Sequence, residues 1–149
     1  MDRSKLEEVK AILDEKLGSD LDCSQDAFFI YIKVEAAGLP ALMQFLKESW
    51  GMNYLADLTA VDYAEEFEII YHLCRIPEQV QKIAVKTRVD RNRAELPSLC
   101  SLYPTADWQE REVFDLMGVV FNGHPNLMRV LLPEGFVGHP LRKDFRREG

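Results

Sequence analysis

"FEIIYHLCRIPEQVQKIAVKTRVD", residues 67–90, is the stretch on which the reading of the fold turns. It contains two runs, 67–76 and 81–90, each alternating apolar and polar residues and rich in Ile and Val. That is the pattern of a half-buried strand. Only Pro-Glu-Gln-Val separates them, too few residues for a helical crossover, so they pair antiparallel as a hairpin. The second run and its exit carry Lys82, Lys86, Arg88, Arg91 and Arg93, which makes that side of the hairpin basic.

Upstream, "MNYLADLTAVDY" (52–63) reads as another strand, with Asp57 and Asp62 flanking an apolar middle. "DAFFIYIKVEA" (26–36) places Phe28, Ile30, Ile32 and Val34 on one face, again strand-like. Two helices precede these strands or lie between them. The first has Leu6, Val9, Ile12, Leu13 and Leu17 at helical spacing, a capping box at Ser4 and Glu7, and a stop at Gly18. The second, "ALMQFLKESW", is opened by Gly38 and Pro40 and closed by Gly51. Downstream, "ELPSLCSLYPTAD" is a loop or short helix, "DWQEREVFDLMG" (107–118) is a helix ending at Gly118, and "VVF" is a short strand. No Gly/Ser linker divides the chain, so residues 1–149 read as one α+β domain. The expected architecture is a mixed, mostly antiparallel sheet of about four or five strands, helices packed on one face, and an irregular C-terminal segment.

Composition narrows the function. The chain has 149 residues, 47% of them hydrophobic and 29% charged, as in ordinary globular proteins. Its net charge of −7 argues against nucleic acid as a partner. The three cysteines, Cys23, Cys74 and Cys100, are odd in number and form no C-x-x-C pair, which points away from a disulfide framework or a structural zinc site. No signal-peptide pattern and no membrane-spanning run is present, so any work at a membrane needs partners.

The helix at 107–118 is the densest polar cluster. Asp107 can cap it, with Glu110 at the third position reaching back to the cap. On a helical wheel, Val113, Phe114, Leu116 and Met117 form an apolar arc with Glu110 inside it. Arg111, Glu112 and Asp115 fall on the other side, with Trp108 between, and Arg111 and Asp115 are spaced i, i+4 for an ion pair. Three uses remain open: an acid/base pair, metal ligands, or a salt-bridged surface that meets a partner, beside an ordinary solvated face. No nucleophile or anchor lies nearby, whereas Trp and Arg favour the interface. A buried Glu110 would need a basic or backbone partner.

Beyond it, "FNGHP" (121–125) and "FVGHP" (136–140) repeat one five-residue frame. Proline extends the residue before it and glycine tolerates positive φ, so Gly-His-Pro is a stiff corner that aims an imidazole. Each corner is followed by basic residues, Arg129 after the first and Arg142-Lys143 after the second. The spacing supplies no further metal ligand from His72 or Cys74, and no nucleophile signature is present. The repeat reads as one turn chemistry used twice, laying an irregular segment against another surface.

With these residues in view, "YPTADWQEREVFDLMGVVFNGHPNLMRVLLPEGFVGHPLRKDF" (103–145) is similar to the signature region of the thirty-kilodalton subunit family of respiratory complex I, the C subunit of bacterial NADH:quinone oxidoreductase. "YLADLTAVDY" and "FEIIYHL" also resemble the core of that family, which extends the likeness from about Asn53 to Phe145. Where the family usually has two adjacent basic residues, this chain has Met128-Arg129. The resemblance implies a structural, non-redox subunit of the peripheral arm. Such a protein docks on the forty-nine-kilodalton, D-type partner that forms the quinone site, beside iron–sulfur subunits. It supports electron transfer from NADH to quinone coupled to proton translocation. FMN, iron–sulfur clusters and quinone would lie in those partners, and this chain would hold no cofactor, metal or catalytic residue. The place implied is the cytoplasmic face of a prokaryotic inner membrane, which the chain reaches only indirectly. The residues implied at the partner interface are Trp108, Glu110, Arg111, Glu112, Asp115, His124, Arg129, His139, Arg142, Lys143 and Asp144. The same role in a ferredoxin- or F420-dependent relative or a membrane-bound hydrogenase is the alternative. A small hydrolase using Glu112 and Asp115 is a distant one. A scaffold predicts a broad charged and aromatic surface over 107–145; a hydrolase predicts a cleft where the two carboxylates converge.

Overall fold

Antiparallel pairing of β4 (Glu66–Cys74) with β5 (Lys82–Asp90) runs from Glu66 opposite Asp90 to Cys74 opposite Lys82 and forms the middle of the main sheet. The computed structural model describes residues 3–17, 21–77 and 82–146, with backbone alone at 3–6 and 17. The hairpin turn expected at 77–80 therefore lies largely outside the described residues, as do the stop at Gly18 and the side chain of Ser4.

β3 (Tyr54–Asp62) lies antiparallel on the far side of β4, while β2 (Phe29–Lys33) joins β5 in parallel. β1 (Asp22–Gln25) completes a five-stranded mixed sheet in the order β1-β2-β5-β4-β3. Alternation decides the faces. Phe67, Ile69, Tyr71 and Leu73 of β4, with Ile83 and Val85 of β5, point into the core. That core also takes Val9 and Leu13 from α1 (Arg3–Leu17), Leu39, Leu42, Met43 and Leu46 from α2 (Leu39–Trp50), and Val113 and Met117 from α3 (Ala106–Met117). Each fully buried Leu or Ile contributes roughly 1.5–3 kcal/mol relative to exposure. The neighbouring positions form the opposite, polar face, where Lys86 lies over the Tyr31 ring at 4.6 Å and Arg88 pairs with Glu68 at 3.2 Å.

α2 ends where Gly51 adopts a left-handed φ of 66°, as its spacing predicts. β2 starts one residue later than alternation suggests. The Asp26 carboxylate accepts the amides of Phe28 (2.7 Å) and Phe29 (2.8 Å), and this turn throws the Phe28 side chain out into solvent. β6 (Glu95–Pro97) and β7 (Val120–Asn122) pair in parallel as a second, two-stranded sheet. They bring the two ends of the 95–122 segment together, with α3 between them.

Candidate functional site

α3 is laid across the edge of β3. The register of β3 shifts between Leu55 and Asp57, and the Leu55 carbonyl accepts from Thr105 Oγ1 (2.9 Å) and Gln109 Nε2 (3.2 Å). Thr105, not Asp107, occupies the N-cap, and its hydroxyl is spent on β3 rather than on the helix. Asp107 sits in the first turn, and Glu110 does not reach back to the cap.

Glu110 and Asp115 are both fully buried. Glu110 accepts from Ser98 Oγ at 2.6 Å and the Leu99 amide at 2.8 Å, with Cys100 Sγ at 3.5 Å. Burial pushes its carboxyl above the ordinary value, and these donors only partly offset the shift. Asp115 does not face solvent and does not pair with Arg111. Its carboxylate accepts Arg129 Nη1 at 2.7 Å and the amides of Val130, Leu131 and Leu132 at 3.1, 2.8 and 3.0 Å. Burial alone would raise this carboxyl, but three amides and a guanidinium outweigh it and hold it below the usual range. Arg111 instead lies over the Trp108 ring and donates to the Met128 carbonyl at 3.2 Å.

The two Gly-His-Pro corners dock at opposite ends of α3. At the N-terminal end, His124 Nε2 lies 3.0 Å from the Asp107 carbonyl and 3.1 Å from its carboxylate, while Nδ1 accepts the Asn126 amide at 2.9 Å. That network puts the ring proton on Nε2. At the C-terminal end, His139 Nδ1 donates to the Asp115 carbonyl (2.9 Å) and the Leu141 amide to the Leu116 carbonyl (2.9 Å). These last-turn carbonyls have no partner within the helix, so the second corner acts as its cap. A Cβ on Gly118 would come within 2.8 Å of the His139 ring, so glycine is required there for packing as well as for its left-handed φ. Arg129 ties the corners together, since its Nη2 donates to the Gly138 carbonyl at 2.6 Å.

A second latch holds the irregular segment 123–145, the strap, to the sheet. The Asp62 carboxylate, at the end of β3, accepts the Lys143 amide (2.9 Å) and pairs with Arg91, which also pairs with Asp144 at 2.8 Å. The guanidiniums of Arg91 and Arg142 lie over the buried Phe67 ring at 5.0 and 5.1 Å. Arg142 in turn holds Asp144 at 3.0 Å. The Arg91 guanidinium keeps the Asp62 carboxyl far below the usual range despite its burial.

The strap exposes several apolar side chains among polar ones such as Asn126, Glu134 and Lys143. Val137 is 86% exposed and Leu141 61%, with Met128, Leu131 and Trp108 also exposed. Trp108 donates its indole N–H to Glu112, which leaves Glu112 and Asp115 committed to different partners. They do not converge, and this removes the geometric basis for the hydrolase reading. The residues expected at a partner surface therefore divide. Trp108, Lys143 and Asp144 are exposed, and Arg111, Glu112 and Arg142 are partly so. Glu110, Asp115 and the His124 side chain are buried and cannot meet a partner directly, because each is enclosed by its own chain. Arg129 and His139 are half-buried and bond within the strap and to the end of α3. Sequence reasoning missed Asp62, Arg91, Ser98 and Cys100; the Asp at a strand end and the Arg after the hairpin were visible, but their pairing was not. Among the described residues, one group gathers possible metal ligands: Cys100, Glu110 and His124.

The sequence matches the family described as "Respiratory-chain NADH dehydrogenase, 30 Kd subunit" over residues 32–149. The chain belongs to this family. Among relatives in it, the NADH-quinone oxidoreductase C subunit of Moorella thermoacetica is 52% identical over 134 residues, covering 89% of this chain and 90% of that one. The same-named subunit of Geotalea uraniireducens is 36% identical and covers 92% and 85%. A solved trypsin-resistant fragment of Nqo5 superposes with a TM-score of 0.68 at 27% identity, over 80% of this chain and 98% of that one. A chain from the membrane-bound sulfane sulfur reductase, an archaeal respiratory membrane complex, superposes at 0.78 with 28% identity, over 97% and 86%.

Proposed function

We propose that this member of the respiratory-chain family is a structural, non-redox subunit of the peripheral arm of an NADH:quinone oxidoreductase. It docks on the D-type subunit that forms the quinone site, beside iron–sulfur subunits, on the cytoplasmic face of the membrane. FMN, iron–sulfur clusters and quinone belong to those partners. The observation that carries the reading is the strap. A segment without regular structure from Gly123 to Phe145 is braced at both ends of α3 and on Asp62, yet turns Met128, Leu131, Val137 and Leu141 outward. Braced, exposed apolar groups on a segment that also carries Arg142, Lys143 and Asp144 suit a docking surface. Pre-organisation lowers the entropic cost of association. Among the described residues no helix is long and apolar enough to cross a membrane.

The test is purification of the tagged chain from its native cells under mild conditions, with co-purifying proteins identified and iron and flavin assayed. Recovery of a D-type quinone-site protein with iron–sulfur proteins and flavin is expected. Recovery of the same set without flavin would favour the second reading, a relative with another electron donor, for which the match to the archaeal sulfane sulfur reductase is the motive. A chain recovered alone would overturn both.

A further inference from the structure

We propose that Cys100, Glu110 and His124 form a site for a soft divalent cation, with zinc the best chemical match, that fastens the first Gly-His-Pro corner to the core. The three side chains come from different elements: the loop after β6, the middle of α3, and the strap. One ligand atom from each lies within 4.8 Å of the other two, and Cys100 Sγ is 3.5 Å from Glu110 Oε1. Zinc bonds of about 2.0–2.3 Å hold tetrahedral ligands roughly 3.3–3.8 Å apart. The cluster therefore needs to tighten by no more than about 1.5 Å. Sulfur, carboxylate oxygen and imidazole nitrogen together are a donor set that zinc accepts and that magnesium or calcium does not favour.

Charge and protons balance. A thiolate and a carboxylate neutralise a divalent ion, and the imidazole stays neutral. On binding, the Cys100 S–H bond breaks, a sulfur–metal bond forms, and the proton leaves to solvent; any proton on Glu110 leaves with it. No redox step is involved.

The surroundings already orient the ligands. Ser98 Oγ and the Leu99 amide fix the Glu110 carboxylate. His124 makes one hydrogen bond from each ring nitrogen, to Asp107 and from Asn126. In that tautomer only Nδ1 offers a lone pair, so a cation there displaces the Asn126 amide and leaves the Nε2–H bond to Asp107 as the orienting bond that ligand histidines commonly have. Water fills the fourth position. The sequence does not reveal such a site, because positions 100, 110 and 124 match no short ligand spacing. The site belongs to this chain alone and stands or falls apart from the docking role.

The experiment is a cobalt(II) titration of the full purified chain with its thiols reduced. The expected result is one cobalt per chain, with thiolate-to-cobalt charge-transfer absorption and the intense visible bands of tetrahedral coordination, all displaced by zinc. These signals should vanish in Cys100→Ala and persist in Cys23→Ala and Cys74→Ala. Zinc should raise the melting temperature of the wild type but not of Cys100→Ala, whose zinc affinity falls at least about 100-fold. Cys100 is only partly buried, so Cys100→Ala should melt near the wild type without metal; His124→Asn is the second variant. Absence of a thiolate band in the wild type, or a band that survives Cys100→Ala, would overturn the site.

Discussion

Glu110 and Asp115 stand five residues apart on one helix, both with no exposed surface, and their environments pull them in opposite directions. Glu110 meets a hydroxyl, a thiol and one amide, and burial wins: its carboxyl is raised. Asp115 meets a guanidinium and three successive amides, and these win: its carboxyl is lowered. Burial depth is therefore a poor guide to a carboxylate's role, and the number and charge of its donors are better ones. Glu110 seats α3 against the loop at 98–100. Asp115 organises the strap.

Asp115→Ala should break this comparison most severely. It strips Arg129 and three amides of their acceptor, and a loss of about 3–5 kcal/mol is expected in urea denaturation. Glu110→Gln keeps the shape and an acceptor oxygen, and it should cost nearer ~1 kcal/mol. Equal losses would show that the two carboxylates are equivalent after all.

Acidity sharpens the contrast. Asp115 and Asp62 are held below their unfolded values, so the stability they contribute is present above about pH 4 and is lost as the pH falls through their folded values. Glu110 has the opposite sign, because protonation relieves its burial. Asp115→Asn should therefore flatten the acid limb of a stability-against-pH curve measured by chemical denaturation. An acid limb as steep as in the wild type would assign the acid sensitivity to other groups.

Gly138→Val should have a smaller effect. Its φ is 96°, and a Cβ would lie 2.8 Å from the Phe145 ring, so the second corner must shift at a cost of about 1–3 kcal/mol. Hydrogen exchange should quicken at 139–145 and stay unchanged in β4 and β5. Uniform acceleration would mean that strap and sheet open together.

Much of the sheet was legible because β3, β4 and β5 repeat with period two, and α2 and α3 end at glycines. β1 escaped notice because Asp-Cys-Ser-Gln has no apolar alternation, and β6 because three residues carry no period. The parallel pairing of β2 with β5 spans too much chain for any local pattern. Asp115 was misplaced for a related reason. A helical wheel sorts residues by direction and takes the polar side to be wet. Here the polar side is covered by the strap, whose donors lie 14 to 17 residues further on. Both Gly-His-Pro glycines adopt the positive φ that a stiff corner needs, 86° at Gly123 and 96° at Gly138. That both copies would grip opposite ends of one helix was not readable, because it depends on the span of α3 matching the reach of the strap.

The most direct test of the account is the paired variant Val137→Asp with Leu141→Asp. Both side chains are exposed, so thermal stability of the isolated chain should change by no more than about 0.5 kcal/mol per site. The account predicts that this variant, tagged and expressed in its native cells, loses the co-purifying subunits while remaining folded. Full recovery of those subunits with the doubly substituted strap would contradict the claim that the strap is the docking surface.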